Sequence, residues 1–195
     1  MGDYAKPYFN SLQQVDYTLW QDVCNKFYET VDESVQITDI ETVENRYLWD
    51  KYYYARGQMI KLMGEHNINE KDLWHGTKYD IIDVICTEGF RKEFNNTHAY
   101  GEGTYFARDA NYSVGYAKPS AGVHNGNRYR MFLCKVLCGE SEKGRNDIKL
   151  QNWPKKWDNE LIYDSLVDSK RNPTIYVIHD DIRAYPMYII HFKKY

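Results

Sequence analysis

Three short segments set a hydrogen-bonding or aromatic side chain beside small residues: Leu73-Trp74-His75-Gly76-Thr77, Gly101-Glu102-Gly103-Thr104-Tyr105-Phe106-Ala107 and Ser113-Val114-Gly115-Tyr116. An imidazole both accepts and donates hydrogen bonds, and a residue without Cβ lets a ligand come close to the chain. The sequence holds 19 tyrosines, a surplus that suits a cleft stacking flat ligands and equally suits half-buried strands. Two other chemistries find no support. Gly101-Glu102-Gly103 lacks a third glycine and precedes a strand pattern where a dinucleotide fingerprint would open a helix, which argues against hydride transfer. Cys24, Cys86, Cys134 and Cys138 lack the paired spacing of a zinc site and read as reduced core thiols, so no metal is expected. Cys134 and Cys138 lie four apart in an extended stretch, too far to bridge.

The elements around these segments follow from periodicity. Leu12, Val15, Leu19, Val23 and Phe27 recur at helical spacing, with Ser11 as the cap near the start. Val35 to Val43 reads as extended. Asn45 to Met63 reads as a second helix carrying Leu48, Tyr52, Met59 and Leu62 inward, with its exit at Gly64 and Asn67. Shorter elements follow: a strand at Leu73 to His75, a helix with Ile81, Ile82 and Ile85 ending before Gly89, a loop of about ten residues, a strand Thr104 to Ala107, a helix Asp109 to Tyr116, and a polar loop Lys118 to Asn127. Asp109 is placed to cap its helix. The last third carries strand patterns at Tyr129 to Leu137, Leu161 to Tyr163, Thr174 to His179 and Tyr188 to Phe192. Helices gathered early and strands late predict an α+β fold with mainly antiparallel pairing.

With 195 residues, 43% hydrophobic and 27% charged, the composition is that of one soluble domain, spanning residues 1–195. A net charge of −3, with no dense basic stripe, gives no general attraction to nucleic acid. No run approaches the roughly 20 apolar residues that span a bilayer, and the first residues are neither a signal peptide nor a myristoylation site. Free thiols point to a reducing interior, cytoplasm or nucleus.

Taken together and in order, the three segments resemble the catalytic domain of the poly(ADP-ribose) polymerase family, most of all its mono-transferring branch. The likeness runs from about Val35 to the C-terminus, with residues 1–34 as a helical lead-in, and Leu48-Trp49 fits the branch as well. The resemblance implies a split pair of antiparallel sheets clasping NAD as substrate. His75 and Gly76 match the His-Gly-Ser/Thr motif, in which the histidine bonds a ribose hydroxyl and the glycine backbone holds the nicotinamide amide. Tyr105 matches the second member of the His-Tyr-Glu triad, Ser113 the hydroxyl that bonds the carboxamide oxygen, and Tyr116 the ring that stacks on nicotinamide. Arg91 matches a basic contact to the adenosine side, and the loop through Tyr100 matches the donor loop.

The third triad position departs from the elongating members. Aligning Asn172-Pro173-Thr174-Ile175-Tyr176-Val177-Ile178 with the final motif puts Ile175 where those members carry glutamate. Isoleucine accepts no hydrogen bond and cannot polarise an incoming hydroxyl. The resemblance therefore implies mono-ADP-ribosyl transfer to acceptor proteins, self-modification included, with nicotinamide released. A different class of function, a catalytically silent binding or scaffold module on the same fold, is the alternative. Glu102, Asp109, Asp164 and Asp168 lie near the motifs and are assigned no catalytic part. Branch members carry further modules ahead of this domain, so the chain is expected to belong to a larger multidomain protein. The lack of room for a helical autoinhibitory domain predicts activity without DNA.

Overall fold

A computed structural model describes residues 9–92, 99–119, 128–157 and 160–195. Among these residues nine strands, β1 (Phe9–Gln14), β2 (Val35–Asn45), β3 (Glu70–Gly76), β4 (Thr104–Ala107), β5 (Tyr129–Leu137), β6 (Ser141–Lys143), β7 (Ser165–Val167), β8 (Ile175–Ile178) and β9 (Ala184–Lys194), form one sheet. Their order is β1-β2-β9-β5-β3-β4-β8-β7-β6, antiparallel except for β6 beside β7. The α+β class and antiparallel character are as expected. One continuous sheet stands in place of the expected split pair, and it narrows to a seam where β3 and β4 share a single residue pair, Trp74 with Ala107, whereas β3 and β5 share seven from Glu70–Leu137 to Gly76–Met131. A site can open at such a seam without breaking either half.

Four helices, α1 (Tyr17–Tyr28), α2 (Arg46–Met63), α3 (Ile81–Glu88) and α4 (Ala110–Tyr116), cover the sheet. Strand alternation sends successive side chains to opposite faces, so Leu73 joins a core with Ile82, Ile85, Phe90, Phe106 and Phe132, while Trp74 joins Phe27, Ala110, Val114, Met131 and Phe192 on the other face. Trp74 is 1% exposed and meets the ring of Phe27 edge-on at 5.7 Å. At 25 cal/mol per Å², burial of a side chain of that size contributes several kcal/mol, about the order of the whole net stability of a domain. The pair that closes the seam thus rests on a large apolar anchor.

Several expectations are corrected. Phe9–Gln14 is strand, not helix: residues 11–14 pair with Glu44 to Glu41, and α1 begins only after Asp16, whose carboxylate accepts the Leu19 N–H at 2.9 Å. Cross-strand pairing satisfies the backbone of that stretch, and Asp16 rather than Ser11 is the cap. Leu62 is 72% exposed, whereas Leu48, Tyr52 and Met59 are buried as expected. No strand runs from Leu161 to Tyr163; Ile162 makes one bridge to Lys155, and the buried Ser165-Leu166-Val167 takes the place beside β8. Most of the loop expected from Lys118 to Asn127, and residues 93–98 of the expected donor loop, lie outside the described residues. Among the described residues no helix is long and apolar enough to cross a membrane.

The segment before β7 is tied down by buried charge. Asp164 accepts from Arg183 Nη1 at 2.7 Å, from Lys156 Nζ at 3.1 Å and from the Glu140 N–H at 3.0 Å. Removing one member of a buried ionic cluster strands the others without a counter-charge. Asp164→Ala is therefore expected to lower unfolding stability by about 3–5 kcal/mol in a denaturant titration; a loss below about 1 kcal/mol would show the cluster to be solvent-screened.

Candidate active site

The seam opens into a cleft lined by His75, Gly76, Tyr105, Phe106, Ala107, Tyr112, Ser113 and Tyr116, with about 380 Å³ of empty space that is partly open to solvent. His75, Gly76, Tyr105, Ser113 and Tyr116 are brought together from β3, β4 and α4. Arg91 is not among the lining residues; it is exposed and pairs with Glu88. Ile175 does not line the cleft either. It lies on β8 directly opposite Ala107, on the sheet face shared with Tyr105 and Val177, and is 3% exposed.

His75 spans the seam. Its Nδ1 lies 2.8 Å from the carbonyl oxygen of Tyr105. A carbonyl only accepts, so Nδ1 carries the proton and Nε2 is left with its lone pair. The ring is 7% exposed and packs against Phe90 at 5.1 Å and Phe106 at 5.4 Å. That burial lowers the imidazole pKa to about 4, only partly offset by the bond to Tyr105. At neutral pH His75 is an uncharged acceptor, a narrower role than the donor and acceptor that the residue type alone allows.

Tyr105 points its phenol toward the loop before β4. Its hydroxyl donates to the Gly101 carbonyl at 2.6 Å and accepts the Tyr100 N–H at 3.0 Å. Burial pushes its pKa up to about 12, so it keeps its proton. The hydroxyl is spent on holding the ring and the loop, which leaves the ring face as the working surface.

Gly76 is required by packing. A Cβ built there would lie 2.0 Å from the Ser113 carbonyl oxygen, so helix α4 sits directly on the end of β3. Three further contacts hold α4: the Ala110 N–H donates to Thr30 Oγ1 at 2.9 Å, Lys194 Nζ donates to the Val114 carbonyl at 2.8 Å, and the Lys118 N–H donates to the Thr77 carbonyl at 3.1 Å. Asp109, expected to cap the helix, makes no capping bond; its carboxylate binds Arg108 at 2.8 Å and Thr30 takes over the helix start. The consequence is a buried Ser113 and a Tyr116 at the rim. Tyr112, not singled out from sequence, also lines the cleft, and its spacing of four from Tyr116 on a helix was the available signal.

A sequence profile of the poly(ADP-ribose) polymerase catalytic domain matches residues 14–194. Over 175 residues the chain is 37% identical to protein mono-ADP-ribosyltransferase PARP12 of Homo sapiens, covering 89% of this chain and 24% of that protein. It is 34% identical over 193 residues to protein mono-ADP-ribosyltransferase PARP11 of Homo sapiens, covering 89% and 56%. Against protein mono-ADP-ribosyltransferase PARP14 of Homo sapiens the identity is 32% over 176 residues, covering 88% and 9%. The chain thus spans between about a tenth and just over half of these relatives.

Two outcomes follow. Gly76→Ala must displace α4 and is expected to cost about 1–3 kcal/mol of stability and to abolish binding of nicotinamide by calorimetry; unchanged binding would mean that the strand end gives way instead. Because His75 and the half-buried His179 both have folded values of about 4 against a reference of 6.5, the unfolded chain binds more protons between those limits. Their stabilising contribution is complete above pH 6.5 and is lost as pH falls toward 4. His75→Gln should therefore lose less stability than the unaltered protein between pH 7 and pH 4.5, measured by thermal unfolding, and an equal loss would place the imidazole in solvent.

Proposed function

The chain belongs to the poly(ADP-ribose) polymerase catalytic-domain family, and from that premise we propose that it transfers a single ADP-ribose from NAD to an acceptor on a protein, itself included, releasing nicotinamide. The observation that carries the proposal is the neutral imidazole of His75, held on β3 beside the tyrosine-bearing β4 and α4, with no carboxylate among the described residues lining the cleft. The relatives are named as mono-ADP-ribosyltransferases, which supports the same reading.

In this reading the nicotinamide ring lies between the faces of Tyr105 and Tyr116. A pyridinium is electron-poor and a phenol face electron-rich, so stacking holds the leaving group flat and oriented. The Ser113 hydroxyl and the Gly76 backbone take its carboxamide, and His75 Nε2 accepts a ribose hydroxyl. Arg91 takes the adenosine side. The bond between the anomeric carbon and the pyridinium nitrogen breaks, its electron pair goes to the ring, and nicotinamide leaves neutral. The acceptor's lone pair then forms the new bond at that carbon. Positioning and charge compensation are the means available, since the described residues lining the cleft include no carboxylate to act as a general base.

Ile175 bears on what the acceptor is. Beside Ala107 at the cleft wall, an aliphatic side chain cannot bind and polarise a hydroxyl of a previous ADP-ribose. The acceptor must be nucleophilic in its own right, as a carboxylate or thiolate is. Activity of the larger protein, its targets and its compartment in the cytoplasm or nucleus belong to the same proposal.

Incubating the purified chain with labelled NAD and a protein mixture should give discrete labelled bands on a denaturing gel. His75→Ala and Tyr105→Ala are expected to reduce the label by about tenfold to a hundredfold. A high-mass smear would mean polymer and refute the reading of Ile175. No label, together with no thermal shift on adding NAD, would favour a binding module on this fold instead.

A further inference from the structure

The walls of the cleft differ in how they are held. Tyr105 is fixed by two hydrogen bonds from its hydroxyl to the backbone of Tyr100 and Gly101. Tyr116, on the opposite wall, is the last residue of α4 and is 44% exposed. A helix of seven residues ends in carbonyls with few partners, and an exposed tyrosine on its last turn has several rotamers open to it. The anchors described above, at Thr30, Gly76 and Lys194, meet the backbone of the helix at Ala110, Ser113 and Val114.

One contact selects its orientation. Tyr112, one turn earlier on the same helix face, places its hydroxyl 3.1 Å from the Tyr116 hydroxyl. The two rings stand 5.0 Å apart and tilted by 39°, in van der Waals contact but not stacked face to face. Both line the cleft. A hydroxyl-to-hydroxyl bond at the far end of two rigid rings constrains both χ1 and χ2 of Tyr116, because each ring moves only about those two torsions.

We propose that Tyr112 is a positioning residue which, through its hydroxyl bond to Tyr116, presents the Tyr116 ring to the nicotinamide of NAD. The inference rests on the proposed function of this cleft and adds to it a residue that acts through another. Without the bond, the protein must order the Tyr116 ring at the moment of binding, and that cost appears as lost affinity. The ring is engaged by bound nicotinamide before and during bond breaking, so its ordering affects binding of NAD more than turnover of bound NAD.

The test is a double-mutant cycle on the purified chain with Tyr112→Phe, Tyr116→Phe and the two combined, each of which keeps the rings and removes hydroxyls. Nicotinamide binding is read by calorimetry, and KM and kcat for NAD by nicotinamide release. Tyr112→Phe is expected to weaken nicotinamide binding and raise KM by about threefold to tenfold, with kcat held within about twofold. The double variant should bind no more weakly than the weaker single variant, because one bond is lost in each case. A Tyr112→Phe protein that binds like the unaltered one, or losses that multiply in the double variant, would overturn the proposal. Tyr116→Ala separates the two levels. If it abolishes binding while Tyr112→Phe does not weaken it, only the positioning role fails. If the unaltered protein does not bind nicotinamide at all, the reading of the cleft fails and the positioning role with it.

Discussion

The hydrogen bond from His75 Nδ1 to the carbonyl of Tyr105 crosses the point where the sheet is weakest. On one side β3, β5 and β9 are joined in long ladders and on the other β4 and β8 share four pairs, yet β3 and β4 share only the Trp74–Ala107 pair. A side chain here replaces ladder bonds that the diverging strands cannot make. It satisfies a carbonyl that would otherwise stand open in the cleft, and it also decides which nitrogen of the imidazole faces the ligand. The fold and the chemistry therefore depend on the same atom pair.

That arrangement requires an uncharged imidazole, and the surrounding aromatic rings enforce it. Phe90 and Phe106 pack on His75 and on each other, with ring centroids about 5 Å apart. Protonation in this setting would place a charge among apolar rings with only one acceptor near it. The site thus operates by fixed geometry. His75 accepts, Tyr105 is tied to its loop and Ser113 is buried on α4. A reaction whose leaving group departs neutral from a cation makes small demands on acid or base help, and suits such a site.

His75, Gly76, Tyr105, Ser113 and Tyr116, which share one cleft, are legible in sequence because each lies in a short contiguous motif at the end of β3, on β4 or in α4, whereas Arg91 and Ile175 lie outside it. Long-range pairing was harder to read. Leu12 continues a helical spacing, yet its segment is an edge strand whose partner lies some thirty residues on, at Thr42 and Val43. Leu161 and Ile162 read as a strand by composition but are exposed, because the place beside β8 is filled by Ser165 to Val167. At Gly76 the sequence shows that a close approach is possible but not the protein neighbour that requires it. Its missing Cβ makes room for the Ser113 carbonyl, a contact between segments 37 residues apart that no local pattern encodes. Tyr112 is one tyrosine among 19, and only its spacing of four from Tyr116 on the expected helix marks it.

The most direct test of this account is nitrogen-15 NMR of the His75 imidazole in the folded chain at neutral pH, with and without nicotinamide and NAD. The structure predicts a neutral ring protonated at Nδ1, with no titration between pH 8 and pH 5.5, and a shift at Nε2 when NAD binds but not when nicotinamide alone does. A ring protonated at Nε2, or one that titrates near the free-histidine value, would contradict both the seam and the chemistry derived from it.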